Sequence, residues 1–142
     1  MRMPLHDAEL SDKILNTFYT VYNELGYGFL EKVYCNALAY EFDLRSLSYV
    51  REAPVNAFYK GIKAGHYRAD FIVEGRIIVE VKASRRIVEE DREQTLNCLR
   101  ATEYELALLL HFGPKPSFQR FYAANNRKRS LILVSPTLIQ DQ

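Results

Sequence analysis

Apolar residues in the first part of the chain recur at the spacing of an amphipathic helix. Ile14, Phe18 and Val21 lie three or four positions apart, and Ser11, a residue type that commonly caps helices, stands just before them. The pattern predicts a helix over residues 11–25, with Ser11 as its N-cap.

A Gly-Tyr-Gly sequence beginning at Gly26 interrupts this pattern, and glycine is the residue that most often ends a helix in the left-handed conformation. A second helical pattern follows over residues 29–42, so we expect the two helices to form a hairpin. Within it, Glu31 and Tyr34 occupy neighbouring positions on the helix surface. Taken alone, Glu31 is a first-turn acid that complements the helix dipole, and Tyr34 is a core residue.

The middle of the chain changes to the pattern of β-strands. Residues 47–59 are rich in β-branched and aromatic side chains but contain Pro54, which favours an edge strand or a bulge because proline cannot donate to a ladder. Lys60 and Gly61 predict the next turn, after which a further strand leads into residues 67–73. With the strand that follows, these segments predict an antiparallel meander of three strands.

Residues 71–73 and 77–79 are short apolar runs on either side of Glu74-Gly75-Arg76, and this arrangement predicts a β-hairpin. Two loop lengths fit the sequence. A loop of all three intervening residues pairs Val73 with Ile77, whereas a two-residue loop shifts the register by one position and moves the side chains of one strand to the other face.

The register decides whether a site can form. With the three-residue loop, Asp70 lies opposite Glu80, and Lys82 follows on the same face because strand side chains alternate. With the two-residue loop, Asp70 lies opposite Val79, on the other face. Two facing carboxylates destabilise a sheet unless a cation lies between them, and Mg²⁺ is typically held by one or two carboxylates together with water and phosphate.

Charged residues on an exposed strand face are the simpler interpretation of these side chains. Against it, Ile77, Ile78, Val79 and Val81 make the strand apolar on both faces around Glu80, as expected of a central strand that is covered on both sides. The apolar residues around Glu80 therefore favour a functional site over an exposed surface charge.

The remaining pattern predicts a helix over residues 89–101, an apolar strand over 106–112 and a further strand over 118–122. The acidic start of that helix is explained by the helix dipole. A basic cluster at 127–129 and a last apolar run at 131–134 follow.

Composition limits the class of protein. The 142 residues are 48% hydrophobic, which is enough for one domain with a real core. A net charge of +1 supplies no overall basic field of the kind that marks many nucleic-acid-binding proteins. Cys35 and Cys98 lie far apart and fit reduced thiols. With no apolar h-region and no apolar run long enough to span a bilayer, we expect a soluble, cytoplasmic protein without a membrane partner.

Three short motifs stand in order along the chain: G-x-x-E-x-x-Y at Gly28, Glu31 and Tyr34, D-x9-E-x-K at Asp70, Glu80 and Lys82, and a glutamine-led helical segment at 94–102. In this combination the chain resembles the GxxExxY proteins, a branch of the PD-(D/E)xK nuclease superfamily. The resemblance covers about residues 10–122. Ala69 stands where the superfamily often has proline, a position without chemistry.

The resemblance implies an α+β fold with a restriction-endonuclease-like core. This core has a helical hairpin, then a three-stranded antiparallel meander, then a helix and further strands in a mixed central sheet. The resemblance also implies a single domain over residues 1–142, with the core at about 10–122 and an extension at 123–142. The implied activity is that of a metal-dependent nuclease, which hydrolyses phosphodiester bonds with Mg²⁺ or Mn²⁺.

The resemblance further implies how the D-x9-E-x-K motif acts. Asp70 and Glu80 would bind the metal together with the backbone carbonyl of Val81, which suits a hard cation that prefers oxygen ligands. Lys82 would position the attacking water and stabilise the transition state as a compact point charge.

The other matching residues receive subsidiary roles from the same resemblance. Glu31 would extend the acidic cluster, through a water or a second metal, and Gln94 would orient a water or a phosphate oxygen. Gly28, Tyr34 and Tyr67 would support the site.

Nucleic acid, and DNA in particular, is the implied partner. Arg85 and Arg86 are the best candidates for phosphate contacts because they closely follow the strand of Glu80, with Arg68 and the cluster at 127–129 as further candidates, although each also fits a solvated surface charge. No segment resembles a base-reading helix, so we expect structure-directed or nonspecific cleavage. The rival hypothesis, favoured by the near-neutral charge, is a nuclease fold that binds nucleic acid or protein with little or no catalysis. The sequence leaves open whether the protein forms a homo-oligomer.

Overall fold

The computed structural model of the protein describes residues 5–125 and residue 128. Over these residues the chain forms three helices and five strands. In chain order the elements are α1 (Leu5–Leu25), α2 (Glu31–Leu44), β1 (Tyr49–Tyr59), β2 (Ile62–Val73), β3 (Ile77–Lys82), α3 (Glu89–Arg100), β4 (Leu106–Phe112) and β5 (Pro116–Tyr122).

The strands of the described chain form one five-stranded sheet in the order β1-β2-β3-β4-β5. Strands β3 and β4 are parallel, and every other neighbouring pair is antiparallel. Pro54 lies in the edge strand β1, as its missing donor predicts. The structure thus confirms the α+β fold with the restriction-endonuclease-like order of elements and a mixed central sheet.

Helices α1 and α2 pack on one face of the sheet, and α3 packs on the other. Ile14 and Phe18 of α1 and Leu38 of α2 are fully buried against the inner strands. On the opposite face, Leu99 of α3 packs with Ile78 of β3. Burial of each such side chain stabilises the fold by roughly 1.5–3 kcal/mol. Strand β3 lies between the two layers, which explains why its sequence is apolar on both faces.

Helix α1 begins at Leu5, earlier than predicted, and the assignment of Ser11 as an N-cap was wrong. Ser11 lies inside the helix and is fully buried, and its hydroxyl oxygen accepts a hydrogen bond from Arg120 at 3.1 Å. Leu10 is also buried. The buried stripe of the helix therefore continues before Ser11, and the hydroxyl is satisfied by a residue distant in sequence.

The connection between α1 and α2 is a fixed turn. Gly26 and Gly28 have φ of 68° and 118°, a region that favours glycine. The hydroxyl of Tyr34 donates a hydrogen bond to the Gly26 carbonyl at 2.6 Å and accepts one from the Phe29 N–H at 3.2 Å. The buried tyrosine thereby holds the turn that leads directly to Glu31, the first residue of α2.

The hairpin between β2 and β3 has the three-residue loop. Val73 pairs with Ile77, which is the register that brings Asp70 opposite Glu80. Glu74 adopts a left-handed φ of 53°, and its carboxylate accepts a hydrogen bond from the Ser48 N–H at 2.6 Å. A contact outside the hairpin therefore helps to fix the loop.

Of the candidate basic cluster at 127–129, only Lys128 lies within the described residues. Residues 127 and 129, like the apolar run at 131–134, lie outside the described residues. Lys128 is not directed to solvent: its ammonium donates to three backbone carbonyls near the C-terminal end of α3, among them Leu99 at 2.9 Å and Thr102 at 2.7 Å. Its expected role as a phosphate contact was wrong, because its donors are used within the fold.

The structure bears on the expectations for the two cysteines and for membrane-spanning segments. Cys35 and Cys98 are both buried and free of any disulfide. In the part of the chain that the structure describes, no helix is both long enough and apolar enough to cross a membrane.

Candidate functional site

Backbone pairing between β2 and β3 ends at the pair formed by Phe71 and Val79. Strand β2 also includes the residues before Phe71, and strand β3 also includes the residues after Val79. Beyond this point two acidic side chains bridge the strands. Glu80 Oε1 accepts a hydrogen bond from the Asp70 N–H at 2.9 Å, and Asp70 Oδ2 accepts one from the Val81 N–H at 2.7 Å. Each carboxyl group is therefore fixed by the backbone of the facing strand, and the two lie opposite each other.

Both carboxyl groups are largely removed from water. Glu80 is only 4% exposed. Burial, followed by the charge of Asp70, raises the pKa of Glu80 from 4.5 to about 8. Burial also raises the pKa of Asp70, against the opposing effects of the hydrogen bond from Val81 and the charge of Lys82. Desolvated acids of this kind are costly to ionise and occur preferentially at functional sites.

Lys82 lies close to these acids and also contacts a third one. Its positive charge favours the ionised form of both Asp70 and Glu80 and so partly offsets the rise in pKa that burial causes. Its Nζ atom is 3.7 Å from Oδ1 of Asp91, which lies in the first turn of α3. This ion pair was not predicted, because the helix dipole alone already explains an acid at that position. The available signal was the short connection that places α3 soon after the end of β3.

Glu31 belongs to the same end of the sheet. Its side chain is partly exposed, yet partial burial, followed by the charge of Asp70, raises its pKa, while Lys82 lowers it. Because α2 begins at Glu31, the turn held by Tyr34 determines where this carboxylate lies. The structure therefore brings Glu31 near Asp70 and Lys82.

A cavity of about 420 Å³ opens beside Asp70, between the first turns of α2 and strands β1 and β2. Acidic and basic side chains surround it together with one thiol, namely Glu31, Lys32, Cys35, Arg51, Glu52, Arg68 and Asp70. We name it the α2–β1 cavity. Its mixed charges suit a polar ligand better than an apolar one.

Three other predicted residues make no hydrogen bond or ion pair with Asp70, Glu80 or Lys82. Gln94 is exposed on α3 and its side chain forms no hydrogen bond with another described residue, although it lies one helical turn from Asp91. Arg68 is exposed and pairs with Glu52 at 3.6 Å. Tyr67 packs against apolar residues on the α3 face of the sheet, a position that fits a supporting role.

Arg85 and Arg86 are exposed on the loop after β3. A buried histidine of β4 fixes the backbone of this loop. Nε2 of the buried His111 lies 2.8 Å from the carbonyl oxygen of Ser84 and so donates to it. A Cβ atom at Gly113 would lie 2.7 Å from the same nitrogen, so glycine leaves room for the ring. His111 was not predicted as a positioning residue, because within an apolar run it has no distinguishing spacing.

The oxygen atoms at Asp70 and Glu80 fit a hard divalent cation. Each carboxyl group uses one oxygen for a backbone hydrogen bond, and its second oxygen makes no hydrogen bond or ion pair with any other residue that the structure describes. Mg²⁺ and Mn²⁺ accept such oxygens, with water completing the coordination. Within residues 5–125 and 128, no three His, Cys, Asp or Glu side chains form a ready metal cluster. Metal binding by the pair therefore stays a prediction.

Comparison with protein families places the chain in one superfamily. A family model described as the PD-(D/E)XK nuclease superfamily matches residues 8–121, a range that includes Glu31, Asp70, Glu80 and Lys82. No curated protein matches the chain. A solved structure described as "Crystal structure of SSO0001" is similar over 78% of this chain and 55% of that chain, at 16% identity and a TM-score of 0.48. The chain thus spans about half the length of that protein.

Proposed function

The chain belongs to the PD-(D/E)XK nuclease superfamily, and from this premise we propose that it is a metal-dependent nuclease that hydrolyses phosphodiester bonds of DNA. Within the superfamily we propose the GxxExxY branch, because Gly28, Glu31 and Tyr34 carry the naming motif. Family membership supports the reaction class. The metal, the substrate and the residue roles are our proposal.

The observation that carries this proposal is the pair of acids between the separating strands. Asp70 and Glu80 are each fixed by a backbone N–H of the facing strand and are both desolvated. A purely structural hairpin would gain more from apolar side chains at this position, because unpaired buried charges are costly. The arrangement is best explained by a cation that binds between the acids.

Asp70 and Glu80 would hold the ion through their second oxygens. The Val81 carbonyl is a third oxygen on this side of β3, because a strand residue directs its N–H and its C=O toward the same neighbour and the Val81 N–H already contacts Asp70. Bound Mg²⁺ or Mn²⁺ would lower the pKa of a coordinated water and neutralise charge on the phosphate. Glu80 must release its proton before it can act as a ligand, because only the carboxylate binds a metal.

Lys82 would donate hydrogen bonds from Nζ to the attacking water or to a phosphate oxygen, and so stabilise the charge that develops there. Asp91 would keep the lysine side chain in place through their ion pair. Glu31 would orient a water at the margin of the site. Gln94 would contact water or phosphate from the exposed side of α3.

Substrate recognition would act through the sugar-phosphate backbone rather than through bases. Arg85 and Arg86 are exposed on a loop that His111 holds in place, which favours contacts with phosphates. Cleavage would then be structure-directed or nonspecific.

A cleavage assay tests this proposal. Supercoiled plasmid and labelled single-stranded DNA are incubated with the wild type, Asp70→Ala or Lys82→Ala, in Mg²⁺, Mn²⁺ or EDTA. Asp12→Ala and Lys13→Ala are matched controls at exposed positions of α1, near the hairpin loop at the opposite end of the sheet. We expect metal-dependent cleavage that falls by about 100-fold or more in both site variants and is unchanged in both controls. Cleavage that persists in EDTA, or that is unchanged in Asp70→Ala, would contradict the proposal.

A second candidate function is a nuclease-fold module that binds nucleic acid or protein without cleaving. The ion pair between Lys82 and Asp91 favours it, because the lysine charge is partly neutralised within the protein. A gel-shift measurement of DNA binding beside this assay separates the two: DNA binding without cleavage by the wild type under every metal condition would support the module.

A further inference from the structure

Arg51 of β1 lies in the wall of the α2–β1 cavity together with Asp70. Its guanidinium carbon is 5.5 Å from the centre of the Phe71 ring, in a cation–π contact. Its Nη1 atom donates a hydrogen bond to Asn36 Oδ1 at 2.9 Å. Contacts from two different elements, β2 and α2, therefore hold the guanidinium in one place before any ligand arrives.

The charge of Arg51 is not balanced by a direct ion-pair partner among the described residues. No carboxylate of the described chain lies at ion-pair distance from it. Arg68, which lines the same cavity, differs in this respect because it pairs with Glu52. A guanidinium carries five N–H donors in a planar fork that matches phosphate oxygens, and the contact with Asn36 leaves most of them available.

The backbone beside Arg51 is distorted at the level of Asp70. Arg51 pairs with Phe71 and Ala53 pairs with Ala69, but the intervening Glu52 makes no such pair and has a φ of 49°. A left-handed conformation is strained for a residue other than glycine, and strain of this kind is concentrated at functional sites. The strand is therefore irregular at the point where the cavity meets the proposed catalytic acid.

We infer that Arg51 binds a backbone phosphate of the nucleic acid next to the scissile one, and that the α2–β1 cavity is the path by which the strand reaches Asp70. The inference rests on the proposed function and makes it more specific. Two guanidinium N–H groups would donate to one phosphate, and Lys32, exposed in the same cavity, would add positive charge. The loop of Arg85 and Arg86 would then have a secondary part in binding.

The test measures binding of a short fluorescein-labelled DNA duplex by anisotropy in EDTA, where metal-dependent cleavage is absent. The variants are Arg51→Gln, Arg51→Lys and the matched control Arg76→Gln, which makes the same charge change about 13 Å from Glu80 along β3, at the other end of the hairpin. We expect Arg51→Gln to weaken binding about tenfold and to reduce the slope of log K against log salt by about 1.

Arg51→Lys should keep the salt slope but not the full affinity, because lysine supplies the charge without the fork. Arg76→Gln should bind like the wild type.

A second variant separates binding from folding. Asn36→Ala keeps the charge of Arg51 but removes its anchor, so we expect binding to weaken about threefold with an unchanged salt slope. Thermal unfolding of each variant shows whether the fold is retained. Equal binding by the wild type, Arg51→Gln and Asn36→Ala would overturn the inference, and cleavage by the wild type would still uphold the proposed function. A wild type that neither binds nor cleaves DNA would overturn both.

Discussion

Replacement of Glu80 by glutamine tests whether the acid pair is desolvated as the structure indicates. Glutamine keeps the size of the side chain and an oxygen that can accept from the Asp70 N–H, but it cannot ionise. Because Glu80 is buried opposite a second acid, ionisation of its carboxyl group costs free energy in the metal-free protein. The variant removes that cost.

The direction of the pH effect follows from the raised pKa. The folded protein holds the Glu80 proton up to a pKa of about 8, whereas the group has an ordinary value of 4.5. At pH values between these two, the unfolded chain has lost a proton that the folded protein keeps, so the free energy of unfolding falls as the pH rises. A shift of this size corresponds to a total loss of roughly 3–5 kcal/mol, complete once the pH exceeds the folded pKa.

Urea unfolding in EDTA between about pH 4 and pH 9 measures this effect in the wild type and in Glu80→Gln. We expect the wild type to lose stability across the range and the variant to lose much less. Asp12→Asn, at an exposed acid, should follow the wild type. Mn²⁺ added at high pH should stabilise the wild type but not Glu80→Gln, since binding to the folded state alone raises stability. Parallel pH profiles for the wild type and Glu80→Gln would refute the reasoning.

Two further substitutions test how the site is held. Tyr34→Phe removes a hydroxyl that donates a 2.6 Å hydrogen bond to the turn before α2 and keeps the ring stacked on Phe112, so urea unfolding should show a loss of about 1–2 kcal/mol. An unchanged free energy of unfolding would mean that the turn does not depend on this hydroxyl. Asp91→Asn removes the ion-pair partner of Lys82, so the cleavage rate should fall several-fold while Mn²⁺ affinity is retained. Equal cleavage rates would show that the lysine needs no partner.

Local sequence predicted most of the fold because the pattern of apolar positions is itself local. The apolar strand at residues 106–112 and the helix that begins at residue 89 were predicted almost to the residue, since periodicity and flanking turns define them. The length of the hairpin loop could not be predicted from the local pattern. The pattern left two registers open, and the one that forms is supported by a contact between Glu74 and Ser48, which are 26 residues apart in the chain.

The details of the site depend on contacts that leave no periodic signal. The pairing of Lys82 with Asp91 and the placement of Arg51 over Phe71 each join different elements. Ser11 was assigned to a cap because its residue type favours caps, but it is buried where α1 meets the rest of the fold. The roles of the individual acids came from resemblance to a family, while the structure adds the geometry that brings the acids together.

The most direct test of the central claim is a calorimetric titration of Mn²⁺ into the metal-free protein at a pH above 8, where Glu80 is ionised. The wild type and the control Asp12→Asn should bind the ion with the same affinity, and Asp70→Asn should lose this binding. Equal binding by the wild type and Asp70→Asn, or no binding by any of the three proteins, would contradict a metal site between Asp70 and Glu80.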